Sequence, residues 1–177
     1  MRFRYFFLCL IGTIVICSTP FVVIAARSQS KPAPADAVRV VKSFYKFHFS
    51  RNKDFTKRNV KDRRAWLAPE LYRALLYEMR REAAETKAHP DLVPHFTGDP
   101  FTNSQEYPDT YRVGSSHLVR TNAVVQVTFL WGEQSNRGTD TRDVAIVLKK
   151  YAGKWLIWNV VDNAGMNLLS ELNRKEY

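Results

Sequence analysis

Thiols are nearly absent from this chain. It has two cysteines in 177 residues, Cys9 and Cys17, both within the first 26. So few exclude a disulfide-stapled miniprotein and make a four-thiolate zinc site impossible. Acid is scarce too: 17 Asp and Glu stand against 27 Lys and Arg, a formal net charge of +10. The seven glycines form no phosphate loop or dinucleotide fingerprint, and no nucleophile elbow appears. What is present is 45% hydrophobic residues, 13% of the chain being aromatic. That supply fills the core of about one domain and excludes a disordered polyelectrolyte. The basic excess fits nucleic acid, an anionic membrane or wall polymer, or solubility alone.

The N-terminus reads as a targeting segment. Arg2 and Arg4 precede an uncharged stretch from Tyr5 to Ala26 with an apolar centre over Phe6–Ile16, and Val23-Ile24-Ala25 carries the small-residue pattern of signal-peptidase cleavage. An uncleaved anchor is the rival reading, since 22 uncharged residues are long enough to cross a bilayer. Residues 1–26 are therefore expected to be a signal peptide or anchor, and the protein to be exported, periplasmic or secreted. Both cysteines fall in this leader, so the mature chain has no thiol, which suits an oxidising compartment. Without Arg2 and Arg4 the net charge is +8. Export makes nucleic acid and nucleotide cofactors poor partners, and no cofactor is expected.

Residues 27–35, with Ser28, Ser30, Pro32 and Pro34, read as an extended, flexible linker before a single domain over 36–173. Asp36 is a fair N-cap, after which Ala37, Val41, Phe44, Tyr45 and His48 recur on one helical face. A second helix is expected from Pro69 to about Lys87, with Leu71, Leu75, Leu76 and Met79 inward and Glu78, Arg81, Glu82 and Glu85 in water. Four runs of strand period follow, over 110–118, 122–131, 143–151 and 155–162. Ala152-Gly153 reads as a tight hairpin, residues 132–141 as a longer polar loop, and 166–173 as a short closing helix. Strands joined by hairpins form an antiparallel sheet that the earlier helices must cover. The expectation is an α+β domain, N-terminal helices packed on a curved antiparallel sheet of four or more strands, with a pocket between helix and sheet. Trp155 and Trp158 should face opposite ways. Gln126 and Thr128, in mid-strand, face water, line a cavity or meet a second subunit, so a homodimer through the sheet face is one reading.

The order of these pieces carries a resemblance. The helical start, Pro69-Glu70-Leu71, Gly98-Asp99-Pro100-Phe101, Pro108-Asp109 and the closing Gly153-Lys154-Trp155-Leu156-Ile157 hairpin together resemble a bacterial domain-of-unknown-function family. Its members are secreted and lipoprotein envelope proteins. The resemblance covers about residues 36–172 and implies a nuclear transport factor 2-like, cystatin-like cone. It implies no reaction. Some members carry a lipidated cysteine; here Cys17 follows Ile16, where lipidation wants a small residue.

Candidate chemistry is thin. The histidines of the mature chain, His48, His89, His95 and His117, have no helical metal spacing and read as exposed loop residues, His117 as a polar strand-edge residue; no metal is expected. Asp99 or Asp109 could serve as a general base with Tyr111 and His117 steadying an oxyanion. The plainer reading is that both aspartates fix turns through their backbone amides. The segment 51–64 is more distinctive. Arg51, Lys53, Lys57, Arg58, Lys61, Arg63 and Arg64 stand against only Asp54 and Asp62, and the segment reads as a solvated loop or short exposed helix. It is either a solvated charge run or a patch attracted to anionic phospholipid, lipopolysaccharide or wall polymer. The sequence thus points to an exported binding or accessory domain of the envelope, whose partner is an envelope protein, a wall polymer or an anionic lipid surface. The alternative is a small pocket enzyme with an Asp general base.

Overall fold

A computed structural model of the chain describes residues 31–51, 54–91, 93, 98–132 and 140–174. The leader, Lys53, His95 and the loop 133–139 lie outside the described residues, and the expectations placed on them are not addressed by it.

The chain is α+β: helices α1 (Ala35–Phe49), α2 (Lys57–Asp62) and α3 (Pro69–Ala88) precede strands β1 (Thr110–Val119), β2 (Asn122–Trp131), β3 (Asp140–Tyr151) and β4 (Lys154–Asp162), and α4 (Leu168–Leu172) follows. The strands form one open antiparallel sheet in the order β1-β2-β3-β4, the meander that consecutive hairpins impose. Ala152 (φ 47°) and Gly153 (φ 80°) close the last hairpin with two left-handed residues, the turn whose twist matches the strands.

Alternation along β2 sets the layers. Ala123, Val125, Val127 and Phe129 are buried and face the helices with Val144, Ile146 and Leu148 of β3 and Trp155 and Ile157 of β4. Trp158 is half-exposed on the outer face, where the Lys149 ammonium lies 3.4 Å from its ring centroid. Trp155 and Trp158 do face opposite ways. Helix α1 lies on the inner face through an aromatic cluster, with Tyr45 5.3 Å from Phe129 and 5.5 Å from Tyr111, and Phe49 stacked 6.2 Å from Phe129. The approach to α3 is pinned to the sheet by the Ala68 amide, which donates to the Ile157 carbonyl at 2.8 Å. After β4, Asn159 holds the return of the chain. Its Oδ1 accepts from Val160 and Leu169 amides and its Nδ2 donates to Asn167 Oδ1 at 2.6 Å, so this buried amide leaves little polarity unsatisfied.

Three expectations need correction. Helix α1 begins at Ala35 behind Pro34, and Asp36 sits in its first turn with no capping bond to the helix beyond its neighbour Ala37. Glu78 is fully buried and bonds Arg81 at 2.8 Å, so it is not on the wet face of α3. His48 is likewise fully buried. Both follow from helical spacing: His48 is four residues from Phe44, and Glu78 is four from Ala74 and three from Leu75, all buried.

Candidate functional site

Helix α2 divides the basic segment in two. Thr56 caps it by accepting from the Asn59 amide, and Val60 is its buried anchor. Arg63, three residues after Val60, is only 1% exposed. This corrects its place among the surface cations: Arg63 points inward, while Arg51, Lys57, Arg58, Lys61 and Arg64 are exposed. Lys57, Arg58 and Lys61 share the outward side of α2 and make no ion pair among the described residues.

Inside, Arg63 meets two of the other singled-out residues. Its Nε donates to His48 Nδ1 at 2.7 Å, its guanidinium also donates to the Asn59 carbonyl at 2.8 Å, and His48 Nε2 lies 2.6 Å from Asp99 Oδ2. A guanidinium has donors and no acceptors, so Nδ1 must be the bare nitrogen and Nε2 carries the proton given to Asp99. The chain Arg63–His48–Asp99 is therefore a cation and a carboxylate joined by a neutral imidazole, with no net charge to bury. Burial lowers the Arg63 pKa, and the Asp99 charge opposes that fall; the group remains a cation. The other Asp99 oxygen accepts from the Phe101 amide at 2.9 Å, and Tyr45 donates to the Phe101 carbonyl at 2.8 Å. Burial raises the Tyr45 phenol well above its ordinary value, and the Asp99 charge adds to this.

The remaining candidates do not assemble around Asp99. Asp109 accepts from the Gly132 amide at 2.8 Å and its own amide bonds the Leu130 carbonyl, so it pins the start of β1 to the end of β2. Tyr111 lies opposite Phe129 on the inner face, whereas His117 lies opposite Val124 on the outer one. The phenol and imidazole needed for one oxyanion thus sit on opposite faces of the sheet. Near the Gly98–Glu106 turn, the open cleft of about 720 Å³ is lined by Asn103, Glu106, Trp131, Asp140, Arg142 and Glu171 among others. Its Arg142 is tied to the Asn103 carbonyl, and its Trp131 indole donates to the Glu106 carbonyl at 3.2 Å. Asp99 lies at the edge of this cleft with both oxygens engaged. No group of three His, Cys, Asp or Glu side chains suited to a metal ion occurs among the described residues.

Two phenols, Tyr107 before β1 and Tyr151 at the far end of β3, bond carboxylates. Tyr107 donates to Asp54 at 2.7 Å and Tyr151 to Glu70 at 2.8 Å; partial burial and then these carboxylate bonds push each pKa up to about 12. A folded value above the unfolded value of 10 means that the stabilisation is complete below about pH 10 and is lost as pH rises through 12. In an ultraviolet titration of tyrosinate, Tyr107→Phe with Tyr151→Phe should remove amplitude above about pH 11. Loss of amplitude only near pH 10 would contradict the two bonds.

The missed member is His48, with Arg63 as its partner. Its signal was present in the apolar helical face it shares with Val41, Phe44 and Tyr45, and Arg63 follows the lone apolar Val60 by one helical step. Comparison of the chain with protein-family models, curated proteins and solved structures gives no match. No helix among the described residues is long and apolar enough to cross a membrane.

Proposed function

We propose that the protein is an exported, non-catalytic binding domain of the bacterial cell envelope that holds to an anionic surface through the outward side of α2 and its flanks. The observation that carries this reading is the separation of charge at α2. Arg63 turns inward, its charge balanced through His48 by Asp99, while Lys57, Arg58 and Lys61 are left outward with no ion pair among the described residues. Arg51 and Arg64 flank them. Each such cation near an anionic leaflet contributes about 1 kcal/mol, so a handful suffices for reversible attachment without a pocket. The leader supports export, and the engaged oxygens of Asp99 and Asp109 favour turn-fixing over general-base work. The same reading takes the helices and sheet as a nuclear transport factor 2-like cone, and the chain as a member of the secreted and lipoprotein envelope family that its ordered turns resemble.

The test is charge reversal. The Lys57→Glu, Arg58→Glu, Lys61→Glu variant should co-sediment with anionic vesicles or wall sacculi at least about tenfold less than the parent at low salt. Its circular dichroism should not change, because these side chains are exposed. Equal co-sedimentation at low salt would remove the reading.

A further inference from the structure

Helix α1 carries exposed cations of its own. Arg39, Lys42 and Lys46 are exposed at helical spacing, and none makes an ion pair among the described residues. At the C-terminal end of that row two aromatic rings break the surface. Phe47 and Trp66 are both half-exposed and lie 4.9 Å apart in a tilted stack. The Trp66 indole N–H donates to Ser43 Oγ at 3.0 Å, and Trp66 also lies edge-on to the buried Phe44 at 6.2 Å. The Arg51 guanidinium stands 5.6 Å from the Phe47 ring centroid. Arg64, beside Trp66, lies 5.3 Å from the Tyr72 ring.

We infer that this face, Phe47 and Trp66 ringed by Lys42, Lys46, Arg51 and Arg64, docks on an anionic phospholipid bilayer with the two rings entering the headgroup region. The inference rests on the surface-binding reading above and names its partner. Charge alone would serve a lipid or a wall polymer equally. The aromatic pair separates them, because a hydrated polymer offers anions but no apolar phase for a ring to enter. An indole with a satisfied N–H and an apolar body favours the boundary between headgroup and acyl chain. Long cationic side chains around it can keep their heads at the phosphates while their stems cover the rings. Surface helices that bind membranes combine these two elements, an apolar entry point and a cationic surround.

The experiment uses the full chain with vesicles of phosphatidylcholine alone or with phosphatidylglycerol, some carrying bromine-labelled acyl chains near the headgroup. The leader contains no tryptophan, so its own insertion adds no indole emission. Emission should shift to the blue and be quenched on anionic brominated vesicles. The quenched component should disappear in Trp66→Phe, leaving Trp131, Trp155 and Trp158 unaffected. Phe47→Ala with Trp66→Ala should weaken partition by about tenfold, the effect of withdrawing a modest apolar area from the interface. Salt should not restore the difference. Trp66→Phe keeps a ring against Phe44, so folding is preserved in the variant that assigns the signal. If the parent sediments with anionic vesicles through Lys57, Arg58 and Lys61 but Trp66 is not quenched, bilayer entry is overturned and the surface-binding reading stands. Binding to wall sacculi with none to vesicles overturns it in the same way. Failure to bind either overturns both.

Discussion

Arg63→Ala is expected to lower the free energy of unfolding by about 3–5 kcal/mol, the cost of stripping one partner from a buried ion pair. Lys61→Ala, two residues away on the outward side, should change it by less than about 0.5 kcal/mol. The contrast follows from what each side chain leaves behind. Loss of the guanidinium leaves Asp99 charged at 2% exposure with only the imidazole between it and a void, and leaves His48 Nδ1 without its donor. Loss of the Lys61 ammonium leaves water. Urea denaturation followed by tryptophan emission measures both. A midpoint for Arg63→Ala equal to that of Lys61→Ala would show that the inner chain does not carry the α1–α2 junction. Asp99→Asn probes the same unit from its other end. It keeps an acceptor for the Phe101 amide but removes the buried counter-charge, leaving the Arg63 cation with the exposed Asp62 to offset its charge. Because both residues act through His48, Arg63→Ala with Asp99→Asn should cost less than the two separate losses combined.

Gly98→Ala should destabilise by about 2–4 kcal/mol, from backbone strain plus forced displacement. Gly98 has φ +106°, where an L side chain is strained, and a Cβ there would stand 2.3 Å from the Ser104 carbonyl oxygen and 2.6 Å from Gln105 Cα. Both obstacles are backbone, so neither can rotate away. The turn they belong to is closed by the Asp99 amide on the Ser104 carbonyl and carries Asp99 and Phe101 into the core. The substitution would therefore reach His48 and Arg63 as well. Gly153→Ala makes the comparison. Its added Cβ meets nothing within 4 Å although its φ is +80°, so it should lose only the backbone part, about 1 kcal/mol. Equal losses at the two positions would mean that the Gly98 turn opens freely.

The elements of the sheet are legible in the sequence because each strand answers to one short-range rule. Alternation in 122–131 gives β2 its bounds without error, and Ala152-Gly153 closes the hairpin it was expected to close. Helix α3 is equally plain from Pro69 at its first position and its Leu71 and Leu75 stripe. Strand β3 starts earlier than its apolar run, at Asp140, because the partner Trp131 holds that end in register. The inner polar chain is not legible in the same way. His48 and Asp99 are 51 residues apart, and Arg63 is one cation among seven in a segment whose average character is solvated. Local composition describes the majority there and hides the exception. Only the positions of Val60 and Phe44, which tell inside from outside, separate Arg63 from Arg64 and His48 from a surface histidine.

The span of the Arg63–His48–Asp99 contact also governs the order in which the molecule can settle. The three helices at the start are local structures, but the cation they bring inward lacks its buried carboxylate until residue 99 is in place. Without Asp99 the α1–α2 junction would bury the Arg63 guanidinium with only the exposed Asp62 to offset its charge, an arrangement that favours staying open to water. The helical half is thus kept from closing early, and its aromatic face stays available to receive the sheet. A chain cut short before the Gly98 turn should form helices without docking them.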